Sequence, residues 1–273
     1  MSMTVTVVIP VHNGANTIAA ALDSALRQTR KPTEIIVVDD ASTDATIKMV
    51  ERTMSSSTIP IRLLSATTNQ GPSIARNLGW DAASGDLIAF LDADDVWHPQ
   101  KLEIQVPIME STPRLVMSAH DRTVGEPPEW PVVVASDVEW RDFNFRDFLV
   151  RNRCATPSVI VRRIIPERFT GQLRRAEDYF LWLSIAKTYG LVRFADVPLV
   201  HCSNPAYGGT GLSGNLLLMY RSELSAMRLL IERGHLRKRV LPVVTTWMTI
   251  KFLVRLIDHW ILRDRLQTVS ESR

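Results

Sequence analysis

Over roughly its first hundred residues the chain alternates β-branched apolar runs with helical spacing. Residues 5–9 form an unbroken aliphatic run, which predicts a strand. After the loop at 10–16, Ile18, Leu22 and Ala25 recur at steps of four and three, the spacing of one helix face. Residues 34–38 predict a second strand, and Ser42 is placed to cap a helix carrying Ile47 and Val50. A third strand is predicted at 61–64. A helix opening at Gly71-Pro72 and closing at Gly85 leads into a fourth strand that ends at Asp92. Strand, helix and strand in repetition require crossover connections, hence an α/β fold on a mainly parallel sheet.

Past Lys101 the alternation weakens. Candidate strands lie at 114–118, 132–134 and 158–161, with another ending near His201. Residues 174–189 read as a helix stopped by Gly190. Residues 203–215 contain four glycines, and the part from Tyr207 to Gly214 reads as a lid over a site. Two helices are predicted within 216–265, the second at about 240–262. That helix is apolar around most of its circumference, with a narrow polar stripe of Lys251, Arg255 and Asp258. From Arg228 to Arg265 nine Lys/Arg face three Asp/Glu. Three readings stay open for 240–262: docking on the chain's own domain, peripheral contact with a membrane interface, or a homo-oligomer contact. No uninterrupted apolar run of about 18 residues is present, so no spanning helix is expected. The expected organisation is one catalytic domain over 1–214 and a helical extension over 215–273.

Composition narrows the classes. The net charge of +3 on 273 residues gives only weak support for nucleic acid as a partner, and none is expected. Cys154 and Cys202 have no metal or redox spacing, and two reduced thiols suit a cytoplasmic protein. The start, Met1-Ser2-Met3-Thr4, lacks the charged and apolar regions of a secretion signal.

The candidate chemistry is acidic. Asp92, Asp94 and Asp95 follow the fourth strand directly. Carboxylates crowded at a strand tip repel one another, and a hard divalent cation, Mn²⁺ or Mg²⁺, would relieve that repulsion while also taking substrate phosphates. The carboxyl edge of such a sheet is where ligands bind. Asp39-Asp40 falls at the end of the second strand, where one acid can cap a turn and one can accept an N–H from a base. Pro10, His12 and Asn13 follow the first strand on the same edge, with His12 a possible wall for a planar ligand. Arg76 and Asn77, on the helix opened by Gly71-Pro72, are phosphate or ribose contacts or, for Arg76, an ion-pair partner. Glu177-Asp178 opens a helix, either as first-turn acids favoured by the helix dipole or as a general base. His201 is a candidate metal ligand.

These residues together spell a family. Val8-Ile9-Pro10-Val11-His12-Asn13, Glu34 through Asp44, Ala75-Arg76-Asn77-Leu78-Gly79, Asp86 through Asp95 and Glu177-Asp178-Tyr179-Phe180-Leu181-Trp182 resemble family 2 glycosyltransferases of the GT-A fold. The resemblance implies that Asp92 and Asp94 bind Mn²⁺ or Mg²⁺ on the diphosphate of a nucleotide-sugar donor. It also implies that Asp40 bonds the base, typically uracil, that Pro10 and His12 line it, and that Asp178 is the base of an inverting transfer. His12 departs from the tyrosine frequent there. The QxxRW-type segment of processive synthases is absent, which favours transfer of one sugar per encounter. The implied acceptor is a saccharide or lipid-linked saccharide of envelope, exopolysaccharide or glycolipid synthesis. The implied place is the cytoplasm, extending to the inner face of the plasma membrane. The alternative reading is a nucleotide-binding scaffold without transfer activity.

Overall fold

A computed structural model describes residues 2–126, 128–203 and 215–271. The strands β1 (Val5–Val11), β2 (Glu34–Asp39), β3 (Ile61–Ser65) and β4 (Leu87–Phe90) alternate with α1 (Ile18–Leu26), α2 (Thr46–Ser56) and α3 (Pro72–Asp81). β1 pairs in parallel with both β2 and β4, and β2 with β3. The sequence of pairing, β3-β2-β1-β4, reverses direction at β1, so the carboxyl ends of β1 and β4 form the switch point at which open α/β sheets bind ligands.

The apolar runs are unbroken because both sheet faces are covered. Val8, Ile36, Val38, Ile88 and Phe90 join one core cluster with Ala75 and Trp80 of α3. Val7, Ile9, Ile35, Val37, Leu87 and Ala89 join the other with Ile18 and Leu22 of α1. Adjacent residues serve opposite cores, as the two-residue period of a strand requires. α3 lies so close to β1 that a Cβ on Gly79 would stand 2.4 Å from a Val8 methyl.

The second half extends the sheet. β5 (Val96–Trp97) and α4 (Lys101–Ser111) follow, then β6 (Met117–Val124), β7 (Trp140–Phe143), α5 (Phe145–Val150), β8 (Ile160–Arg162), α6 (Glu177–Tyr189) and β9 (Val192–Cys202). β8 pairs antiparallel to β4 and to β6, β9 runs parallel to β6, and β5 and β7 pair antiparallel to β9. Among the described residues the sheet holds nine strands. α5 begins with a capping box in which Asn144 and Asp147 satisfy each other's backbone donors. α6 stops at Gly190, whose φ of 84° suits only glycine well. α7 (Leu216–Glu232), capped by the Asn215 side chain, and α8 (Leu241–Glu271) complete the chain. Ala226, Met227, Leu230, Val244 and Met248 of these two helices share the cluster that holds Trp182 and Phe90.

Several local expectations are corrected. Ser42 is not a helix cap: α2 starts at Thr46, whose backbone N–H is received by Asp44, while Ser42 Oγ accepts the Asn13 N–H. α3 ends at Asp81 rather than at Gly85, which instead lies hard against the backbone of Thr6. Residues 132–134 form no strand: Val132 is 85% exposed, and backbone groups at 131 and 133 bond to the His98 and Gln100 side chains. The apolar run alone had no neighbouring strand to pair with. Contrary to the expectation of no spanning helix, Lys238–Ile257 is long and apolar enough, by length and composition, to cross a membrane. The strict run was broken by Thr245, Thr246, Thr249, Lys251 and Arg255, which a helix of that length tolerates. With that, the inference of single transfers loses its support from an absent spanning helix. The proposed lid at 207–214 and the Asp258 side chain lie outside the described residues.

Candidate active site

The carboxyl ends of β1, β2 and β4 share one rim because the strands are parallel and in register: Val11 stands opposite Asp39. The loops leaving β1 and β2 are knitted together. Nδ1–H of His12 donates to the Asp40 carbonyl at 2.8 Å. Asn13 Oδ1 accepts the Thr43 N–H at 2.8 Å, and Asp44 accepts the Ala15 N–H at 3.1 Å. His12 and Asn13 are exposed along this edge, whereas Pro10 is buried inside β1 opposite Val38.

Asp40 receives the backbone N–H of Gln70 at 2.9 Å and of Gly71 at 2.7 Å, one on each carboxylate oxygen. It therefore anchors the loop that opens α3, where Gly71 takes a φ of 89° ahead of Pro72. Each oxygen keeps a second lone pair for a ligand donor. Asp39 differs. Its Oδ2 accepts the Ser42 N–H at 3.2 Å, but its buried Oδ1 has no hydrogen-bond partner. A buried acceptor left open is costly unless a ligand supplies the donor.

Arg76 is the hub of the rim. It is nearly fully buried, donates to Asp92 Oδ1 at 2.7 Å and to Glu177 Oε1 at 3.3 Å, and lies over the Phe169 ring at 5.2 Å. The ion-pair reading of Arg76 is formed, with Asp92 and Glu177 as its partners. Through it the acid turn after β4 and the start of α6 become one site, although Arg76 and Glu177 are 101 positions apart in the chain.

Asp178 is half-buried, and its Oδ1 accepts the adjacent Tyr179 N–H at 2.6 Å. Burial raises its pKa, with Asp92 adding to the rise, while the Tyr179 N–H, Arg76 and Arg122 oppose it. Glu177 is pushed up to about 7 by burial first and then by Asp178 beside it. Asp95 is pushed up to about 8 by burial, then by Asp92 and Asp94. It accepts the Ser203 N–H at 3.1 Å, and the Ser203 hydroxyl bonds to the Asp94 carbonyl. Negative charge thus exceeds its local compensation here, the condition that a divalent cation would satisfy. Among the described residues no three His, Cys, Asp or Glu side chains already converge as a cage. Asp92 and Asp94 are the residues that would hold such a cation. His201 is buried in β9 opposite Val96, with Nδ1 at 3.1 Å from the Thr123 hydroxyl.

Backbone strain gathers at the same place. Among the described residues, Asn13 (φ 52°), Ala41 (φ 60°) and Ala176 (φ 57°) are the non-glycines in the left-handed region. All three lie in segments that aim rim residues, and such strain concentrates at functional sites. No sequence pattern signals an alanine there. Arg122 on β6 was equally hidden: its charge acts on Asp178, Cys154 and Cys202.

Comparison with known proteins closes the assignment. The family Glycosyl transferase family 2 matches residues 6–169. Over 184 residues, 67% of this chain and 70% of the relative, the chain is 32% identical to the Escherichia coli UDP-Glc:alpha-D-GlcNAc-diphosphoundecaprenol beta-1,3-glucosyltransferase WfgD. The chain belongs to glycosyltransferase family 2, and it is a glycosyltransferase. Its fold is that of S. aureus TarS 1-349 in complex with UDP-GlcNAc, with a TM-score of 0.65 at 20% identity, covering 84% of this chain and 67% of that one. It is equally that of the mannosyltransferase PcManGT from Pyrobaculum calidifontis in complex with GDP-Man and Mn2+, with a TM-score of 0.66 at 19% identity, covering 94% and 75%. These likenesses make it a GT-A fold. The non-catalytic scaffold alternative gains no observation in its favour.

Proposed function

We propose that this protein moves a hexosyl unit from a UDP-sugar to a hydroxyl of a lipid-linked saccharide during envelope polysaccharide assembly, with inversion at the anomeric carbon. The observation that carries the reading is Arg76 clasping Asp92 and Glu177, which sets the diphosphate end of the rim beside Asp178. The donor and acceptor classes are supported by the name of WfgD and by the UDP-GlcNAc bound to TarS.

In this reading the base of the nucleotide lies against His12 and Asn13, with its ring N–H directed to the Asp39-Asp40 carboxylates. Asp178 takes the proton of the acceptor hydroxyl. The acceptor oxygen then forms its bond to C1 from the face opposite the diphosphate. The C1–O bond breaks, and its electron pair leaves with the nucleoside diphosphate. A carboxylate whose pKa is raised by burial is a better base near neutrality than an exposed one. A cation held by Asp92 and Asp94, as Mn2+ accompanies GDP-Man in PcManGT, would neutralise the charge of the departing diphosphate. Arg76 positions Asp92 and Glu177 rather than touching the reacting atoms.

A panel of UDP-glucose, UDP-GlcNAc and GDP-mannose, each with and without Mn²⁺, tests the reading through donor hydrolysis and the anomeric configuration of the product. Cation-dependent turnover of a UDP-sugar with inversion is expected. A product of retained configuration, or turnover indifferent to chelator, overturns the mechanism.

A further inference from the structure

α8 has two unlike sides. One side is docked. Val244 and Met248 are buried, Phe252 stacks on Tyr220 with ring centroids 4.7 Å apart, and Thr249 bonds to the Tyr220 hydroxyl at 2.8 Å. Arg255 meets Glu223 of α7 at 3.0 Å. The other side carries Val243, Trp247, Ile250, Val254 and Ile257 at steps of four, three, four and three, all exposed. Leu253 and Leu256 widen the stripe. Only 11% of the apolar stretch Lys238–Ile257 is buried. The indole N–H of Trp247 donates to the Val150 carbonyl at 3.1 Å, and the exposed Val150 side chain continues the patch onto α5.

Cations outnumber acids around this stripe, with Glu232 and Asp258 at its two ends and Asp147 on α5. Between Arg233 and Ile257 stand Arg233, Arg237, Lys238, Arg239, Lys251 and Arg255, with no Asp or Glu. Arg237, Lys238 and Arg239 are exposed at the start of α8, and exposed Arg151 adjoins Val150.

We propose that this face docks on a bilayer surface carrying anionic headgroups, with α8 lying in the interface plane. A wide apolar stripe rimmed by cations is the pattern of an interfacial helix. Crossing the bilayer would require stripping α8 from the Glu223 carboxylate and the Tyr220 hydroxyl that hold its other side. A second copy docked on the same face would bring two cation-rich rims together, whereas an anionic bilayer surface complements them.

The test is co-sedimentation of the full chain with vesicles of phosphatidylcholine alone or mixed with phosphatidylglycerol. Binding to the mixed vesicles at about 0.05 M salt is expected, falling at least tenfold by about 0.5 M. Ile250→Asp with Val254→Asp should lower partitioning by roughly tenfold or more. Lys238→Glu with Arg239→Glu should lower it roughly fivefold per unit of charge. Both pairs are on the surface, so hydrolysis of a soluble nucleotide sugar without vesicles should be unchanged, which separates this claim from the proposed reaction. The proposal is overturned if the wild type stays in the supernatant at low salt or if the aspartate pair sediments like the wild type. A dimer in solution that the aspartate pair converts to monomers would assign the face to a second copy and overturn it as well.

Discussion

The two ends of one sheet handle buried carboxylates in opposite ways. At the amino end, Glu34 accepts Ser84 N–H at 2.7 Å, Ser84 Oγ at 2.6 Å and Thr6 Oγ1 at 2.8 Å, with Arg62 at 3.4 Å. Burial alone would raise its pKa, but these donors together hold it below the ordinary value of 4.5. At the carboxyl end, Glu177, Asp178 and Asp95 are all raised. The residue types are alike, but Glu34 is less desolvated and better supplied with donors than the rim acids, and the two differences together decide the outcome. A satisfied carboxylate holds structure together, whereas an undersupplied one is available for chemistry.

The contrast can be broken from the rim side first. Asp178→Asn should leave donor binding intact and cut turnover by about 10²- to 10⁴-fold, measured as kcat with saturating donor and acceptor. Arg76→Met leaves buried Glu177 and half-buried Asp92 without their shared cation. It should cost about 3–5 kcal/mol in urea unfolding.

A pair of amides sharpens the comparison further. Glu34→Gln should cost about 1–3 kcal/mol at neutral pH. Because the folded pKa of Glu34 is depressed, that stabilisation is present above 4.5 and fades as pH falls through the folded value. Glu177 has the reverse sign. Its folded pKa is raised, so its contribution is present below 4.5 and is lost as pH rises through about 7. The stability gap between wild type and Glu177→Gln should therefore shrink over that window while the Glu34→Gln gap holds, as read by unfolding curves at stepped pH. The smallest effect expected is from Ala176→Gly, which relieves a left-handed alanine at the start of α6 and should add about 0.5–1 kcal/mol.

The same contrast explains what the sequence made legible. β1, β2 and β4 were readable because both of their faces are buried, so nothing interrupts the aliphatic run. β5 has two residues and β7 is a half-exposed edge strand, so neither carries a periodic signal. The acids at 92, 94 and 178 stood out by type and place. Their partners did not, since Arg76 reaches Asp92 across 16 positions and Glu177 across 101. Nothing in the letters separates Glu34 from Glu177; the desolvation and the donors that folding delivers do. Asp39 Oδ1 and the strained alanines are likewise products of tertiary geometry.

The two free thiols give the rim a built-in reporter. Cys154 and Cys202 are buried, and their acidity is suppressed first by desolvation and then by Asp178 and Asp95 respectively. In the closed protein neither sulfur reacts readily, because the thiolate is the nucleophile. An alkylating reagent would therefore consume them only as fast as the surrounding walls part, so the rate of thiol loss clocks the breathing of this acidic rim.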